Sequence, residues 1–195
     1  IVRLQKREIK AIFSSEKIGI SYNLSDLPIY SNDKSLEEFD PKDFVLVNAI
    51  GKTPFSKLRE NLSKSTYTKN FSFERIISEN AYVSPNAFLG EGVQVLPGAI
   101  IQSGAMIGDH SIINSNAVIE HDCVVGKFNH IAPSATLCGN VETNYDVYIG
   151  AGSTVKQGVY IGKNSIAGAC TFIDKNVSDG VVIKANHNQI WEDRR

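Results

Sequence analysis

Residues Ala117–Asn140 read AVIEHDCVVGKFNHIAPSATLCGN, which divides without remainder into AVIEHD, CVVGKF, NHIAPS and ATLCGN. In each unit the third residue is aliphatic: Ile119, Val125, Ile131 and Leu137. The frame continues in both directions, from Ala81 to Asn176, giving sixteen hexads with no insertion. Over that length Thr143 is the single polar third position. First positions are mostly small (Ala81, Ala87, Ala99, Ala105, Ala117, Ala135), and positions four to six are rich in Gly, Asn and Asp.

A period of six is not helical. Side chains alternate along a strand, so first and third positions share one face. Gly and Asn at the end of each unit tolerate the positive φ of a sharp corner. A strand and a corner, three times over, close one triangular coil of three hexads. The sixteen hexads therefore predict a parallel β-helix of a little over five coils, mainly β in class, with the third-position aliphatics stacked inside. The period leaves the hand open, although parallel crossovers are normally right-handed.

The texture changes before Tyr82. "REIKAIFSS" (7–15) and "KDFVLVNAI" (42–50) read as buried strands, and "NFSFERIIS" (70–78) as another. "TPFSKLRENLSK" (53–64) predicts a helix capped by Thr53, with Pro54 in its first turn and Phe55, Leu58 and Leu62 facing inward. Strands alternating with a helix suggest a small α/β domain over residues 1–78. The β-helix then occupies 79–180, and 181–195 form a short tail.

Composition excludes some classes. A net charge of -1, with 21% charged residues, argues against a nucleic-acid binder held by a basic surface. No apolar run reaches the roughly 20 residues of a membrane span. The opening "IVRLQKREIK" is charged and shows no signal-peptide pattern, so a cytoplasmic location is expected. The three cysteines, Cys123, Cys138 and Cys170, have no paired spacing and read as reduced thiols, Cys123 in the core.

Two titratable residues interrupt the regular stretch. His121 sits at position five of its hexad, on a corner, and Gly139, three hexads on, lies above it in the next coil. His130 sits at position two of another hexad, facing outward half a coil away. The pair cannot easily meet within one chain. They can meet between copies, where a corner of one prism abuts a face of the next. Three readings are open. The corner EHD is a solvated turn of a non-catalytic or regulatory prism. Alternatively it contributes to zinc chemistry of the γ-carbonic-anhydrase kind, although that family's His pair five residues apart is absent. Or His121 is a general base, oriented by Asp122 or by Glu120. Imidazole titrates near neutrality and suits that task.

The segment IEHDCVVGKFNHIAPSATLCGNV is similar to the signature of bacterial sialic-acid O-acetyltransferases and UDP-4-amino-sugar N-acetyltransferases. The resemblance covers residues 8 to 180, most specifically from His121 to His130. It implies a left-handed hexapeptide β-helix behind a Rossmann-like sugar-nucleotide domain, whose first strand and Gly-rich loop are expected to be missing here. It implies acetyl-CoA as co-substrate, no metal, and a homotrimer acting on a sugar or nucleotide sugar. His121 would be the general base and Asp122 its partner. His130 would contact acetyl-CoA from a neighbouring subunit, with Gly139, Ala151 and Gly168 lining the pantetheine channel. Ile50, Gly51 and Lys52 would lie beside the sugar nucleotide. The usual closing motif over coenzyme A is replaced by VVIKANHNQIW.

Overall fold

The computed structural model describes residues 8–14 and 27–185. Its dominant feature is a prism of two-residue parallel strands, arranged as three sheets of six, five and seven strands. The first face contains Val118–Ile119 and Thr136–Leu137, the second Val124–Val125, and the third His130–Ile131 and Tyr148–Ile149. Strands on one face pair three hexads apart, as in Val118↔Thr136 and Val124↔Glu142, which is the expected coil. The last coil is two residues shorter: Ile161 bridges Val177, and Ile166 pairs with Val182. The prism also outreaches the expected limits of 79 and 180. Ile76–Ile77 form its first rung on the third face and Val182–Ile183 its last.

The hexad frame accounts for the core. Third-position Ile101, Ile107, Ile113, Ile119, Ile131, Leu137, Ile149 and Val155 are fully enclosed, as are first-position Ala99, Ala105, Ala117, Cys123 and Ala135. Thr143, the polar exception, is buried too. Asn129, also enclosed, donates from its amide to Thr143 Oγ1 at 2.7 Å and accepts from the Val147 N–H. A buried polar group is tolerated when its hydrogen bonds are made, and here two polar residues satisfy one another. Corner residues such as Asn116, Asp122, Ser134, Asn140 and Asp146 take φ near +58°, the left-handed conformation that Asn and Asp accept most readily among non-glycine residues.

The N-terminal part departs further from expectation. Ile12–Phe13 pairs in parallel with Ile29–Tyr30, backed by Phe39 against both rings. A short 3-10 helix, Asp33–Glu38, is capped by the Asn32 side chain. KDFVLVNAI is not a buried strand. Leu46 makes one bridge, to Phe73, while Val45 and Val47 are exposed. NFSFERIIS supplies Phe73 to that bridge and Ile76–Ile77 to the prism, so it belongs largely to the solenoid. Arg7 and Ser15, the ends of REIKAIFSS, lie outside the described residues, as does the tail from residue 186.

The helix spans Leu58–Tyr67, starting five residues after the expected Thr53 cap. Thr53–Ser56 instead form a turn closed by Ser56 N–H to Thr53 O at 3.2 Å, with Pro54 second and Phe55 third at φ +67°. Proline at the second position and a left-handed third residue are the marks of a type II turn, where glycine is the usual third residue. Phenylalanine there costs about 1–2 kcal/mol. The helix's inward face is likewise polar. Arg59, Glu60, Ser63 and Thr66 are buried, whereas Phe55 and Leu58 are exposed, reversing the expected face. The physical reason is the partner. The helix docks on prism corners and main-chain carbonyls, which call for donors. Arg59 donates to the carbonyls of His110, Asn48 and Ile50, and burial lowers its pKa to about 10.

Candidate active site

His121 occupies the corner between the first and second faces, at the tight turn after Val118–Ile119. Its Nδ1 lies 2.9 Å from Asp122 Oδ2. A carboxylate accepts, so Nδ1 carries the proton and donates, leaving the Nε2 lone pair as the basic site. Both side chains are more than half exposed. Glu120, the alternative orienter, has no hydrogen bond to the ring among the described residues. Asp122 makes this contact from the left-handed corner conformation, at φ +59°.

Two glycines make room for this pair. A Cβ at Gly139 would stand 2.5 Å from His121 Nε2 and 2.6 Å from Cε1. A Cβ at Gly104, one coil below, would collide with Asp122 Oδ1. The imidazole therefore stacks against bare backbone on the coil above. The Gly139 N–H has no acceptor among the described residues. Gly104 escaped the sequence reading. Its signal was there, since it lies three hexads before Asp122.

His130 points outward from the third face but is covered by the N-terminal part. Its Nδ1 lies 2.7 Å from the Lys52 carbonyl, which can only accept, so Nδ1–H donates. Its Nε2 then accepts from the Asn114 amide at 2.9 Å. Tyr148, one coil above, packs edge-on against the ring. Burial lowers the His130 pKa and favours the neutral ring. Both nitrogens are thus engaged inside the chain, and Asn114 is a second residue that sequence reasoning did not single out.

The loop at residues 50–52 is held firmly. Asn48 accepts from the Ile50 N–H, and Arg59 takes the Ile50 carbonyl. The buried Lys52 ammonium pairs with Asp146, which also pairs with Lys57. Lys57 further reaches Asn164 and Glu60. Gly51 is the open member, with nothing within 4 Å of an added Cβ.

The remaining expected residues lie apart. Ala151 and Gly168 occupy turns that follow third-face strands, on the corner between the third and first faces. Gly139 and His121 occupy the other edge of the first face. The Gly168 N–H is committed to Ile183 O at 2.8 Å. One chain thus brings together His121, Asp122 and Gly139 at one corner, and His130 with the 50–52 loop on the third face. It does not join the two groups. Among the described residues no three His, Cys, Asp or Glu side chains are placed to hold a metal ion.

The bacterial transferase hexapeptide (six repeats) family matches residues 86–121 and 104–139. Among solved structures, PerB from Caulobacter crescentus, in complex with CoA and GDP-perosamine, is 31% identical with a TM-score of 0.81, over 93% of this chain and 84% of that one. The acetyltransferase domain of PglB from Neisseria gonorrhoeae is 27% identical with a TM-score of 0.85, over 95% and 89%. That domain has also been solved with acetyl coenzyme A. WeeI from Acinetobacter baumannii is 26% identical with a TM-score of 0.81, over 97% and 91%. With the hexad prism, the His–Asp corner and these likenesses across nearly the whole chain, the protein belongs to the hexapeptide-repeat sugar acetyltransferases.

Proposed function

We propose that the protein transfers an acetyl group from acetyl-CoA to an amine or hydroxyl of a nucleotide-linked sugar, with His121 as general base. The observation that carries this reading is the His121–Asp122 pair, whose free Nε2 faces the Gly139 backbone. His121 Nε2 takes the proton as the sugar's nitrogen or oxygen attacks the thioester carbon. The tetrahedral intermediate collapses, the C–S bond breaks, and the proton passes to the departing CoA thiolate. Asp122 holds the tautomer and stabilises the imidazolium. The free Gly139 N–H is a donor for the thioester oxygen as it gains charge. A relative described as a GDP-perosamine N-acetyl transferase favours an amine acceptor.

The two separated groups of residues come together in a homotrimer of left-handed prisms, the corner of one prism against the third face of the next. Support comes from a column of exposed apolar side chains beside the His121 corner: Phe88 at 59%, Met106 at 51% and Val124 at 41% exposure, in register on the second face. A row of this kind marks an interface. Residues Ile50, Gly51 and Lys52 of the N-terminal part then border the sugar nucleotide. His130, neutral and enclosed, serves the coenzyme side indirectly, by fixing the Lys52 loop. Thiol release from acetyl-CoA is the test, with a panel of UDP-, GDP- and CMP-linked amino and hydroxy sugars. Release with at least one acceptor, lost in His121→Ala, is expected. No release with any of them overturns the reading.

A further inference from the structure

Phe55 presents a puzzle of placement. It occupies the third position of the Thr53–Ser56 turn at φ +67°, where glycine would be unstrained, and it is 77% exposed. An exposed aromatic ring in a strained conformation gains nothing from packing. Such strain persists only where the surroundings impose it, and it collects at functional sites. The surroundings here are explicit. Lys52 and Lys57 flank the turn on either side, and both are tied to the buried Asp146 of the prism. His130 takes the Lys52 carbonyl as well. The turn is pinned at both ends, and Phe55 is held out at its tip.

The ring lines a cleft of about 300 Å³ between the turn and the third face. Tyr148 and Ile166 form the opposite apolar wall, while Lys57, Asp146 and Asn164 form a polar edge. The cations are not free to bind phosphate. Lys52 is spent on Asp146, and Lys57 is shared among Asp146, Asn164 and Glu60. What remains is an aromatic platform with an amide at its rim. That combination suits a pyranose ring, which offers an apolar C–H face to an aromatic and hydroxyls to a polar edge. We infer that this cleft seats the sugar ring of the acceptor, with Phe55 as the residue that stacks on it and sets acceptor specificity. The inference rests on the sugar-acetyltransferase reading above.

Phe55→Gly tests it, because glycine relieves the turn and removes the ring together. The expected result is an unchanged or higher melting temperature, about a tenfold rise in acceptor KM, and kcat and acetyl-CoA KM within about twofold of wild type. Phe55→Tyr should keep the wild-type acceptor KM. An acceptor KM unchanged in Phe55→Gly overturns the proposal. So does a rise confined to the acetyl-CoA KM, or a change in oligomeric mass without a change in acceptor KM. If the wild type transfers acetyl to no acceptor, the catalytic reading fails by itself. Calorimetry with the same sugars then decides the cleft. Binding weakened in Phe55→Gly sustains it, and absence of binding, or equal binding by both proteins, overturns it.

Discussion

Two corners of the prism carry a histidine, and they have opposite fates. His121 stands on the corner between the first and second faces, more than half exposed, with Asp122 on Nδ1 and Nε2 open. His110 stands on the corner between the second and third faces, buried under the N-terminal helix. Its Nε2 meets Tyr67 Oη at 2.8 Å, and since Tyr67 donates to Glu91, the imidazole N–H donates to the tyrosine oxygen. Phe128 stacks on the ring and Phe73 packs edge-on. Burial pushes the His110 pKa down to about 4, with the Arg59 charge acting in the same direction. The same repeat thus makes one histidine a candidate base and the other part of a seam. The difference is whether the N-terminal part covers the corner.

The contrast can be broken most severely at the open corner. His121→Ala should lower kcat by at least about 10²-fold with acetyl-CoA affinity unchanged, measured by steady-state thiol release and calorimetry. Asp122→Asn should keep the fold yet lower kcat by about tenfold or more, because the amide can favour the wrong tautomer. Glu120→Gln, measured beside it, should leave kcat near wild type. If the two results exchange places, Glu120 is the orienter. Gly139→Ala is expected to cost less, several-fold in kcat, since the new methyl displaces the imidazole rather than removing it. A crystal structure of that variant should show the ring rotated off the coil.

At the covered corner the effect on kcat should be smallest and the effect on stability clear. His110→Gln should leave kcat per folded molecule unchanged and lower stability by about 1–3 kcal/mol, through the lost ring packing and disrupted hydrogen bonds. The pH dependence has a definite sign. The folded-state pKa of about 4 lies below the ordinary histidine value of 6.5, so the unfolded chain binds the proton more readily. The contribution is fully present above about pH 6.5 and is lost as the pH falls toward 4. Chemical denaturation at pH 7 and pH 5 should show wild type losing more stability on acidification than His110→Gln. Equal losses would mean that burial of His110 does not govern the seam's acid response.

The separate histories of these corners show what a repeat can and cannot disclose. The hexads of 117–140 placed strands, corners and core because each unit repeats the same local choice: aliphatic inside, turn-former at the bend. That frame put Gly139 above His121, and Gly104 was available by the same count. His130 was legible as outward-facing. Its enclosure was not, because the Lys52 carbonyl that covers it is 78 residues away in sequence.

The N-terminal part resisted sequence reading for a related reason. An amphipathic helix announces its inner face when that face is apolar. Here the buried residues are Arg59, Glu60, Ser63 and Thr66, which match carbonyls, His110 and Tyr145 rather than a greasy sheet. Proline at 54 was read as the first turn of the helix, whereas it opens a turn that holds Phe55 at positive φ.

From sequence alone, then, came the parallel prism, its three-hexad coil, and a His–Asp corner whose hydrogen bond joins adjacent residues. A period is written into every unit, and neighbours in the chain remain neighbours in space. The tertiary structure decided which corners stay open, which face of the helix is buried, and where Lys52, Lys57 and Asp146 converge. Those outcomes depend on contacts between residues far apart in the chain, such as Arg59 with His110 and Lys52 with Asp146. No local pattern encodes them, because each partner's side chain has its meaning only once the other is beside it.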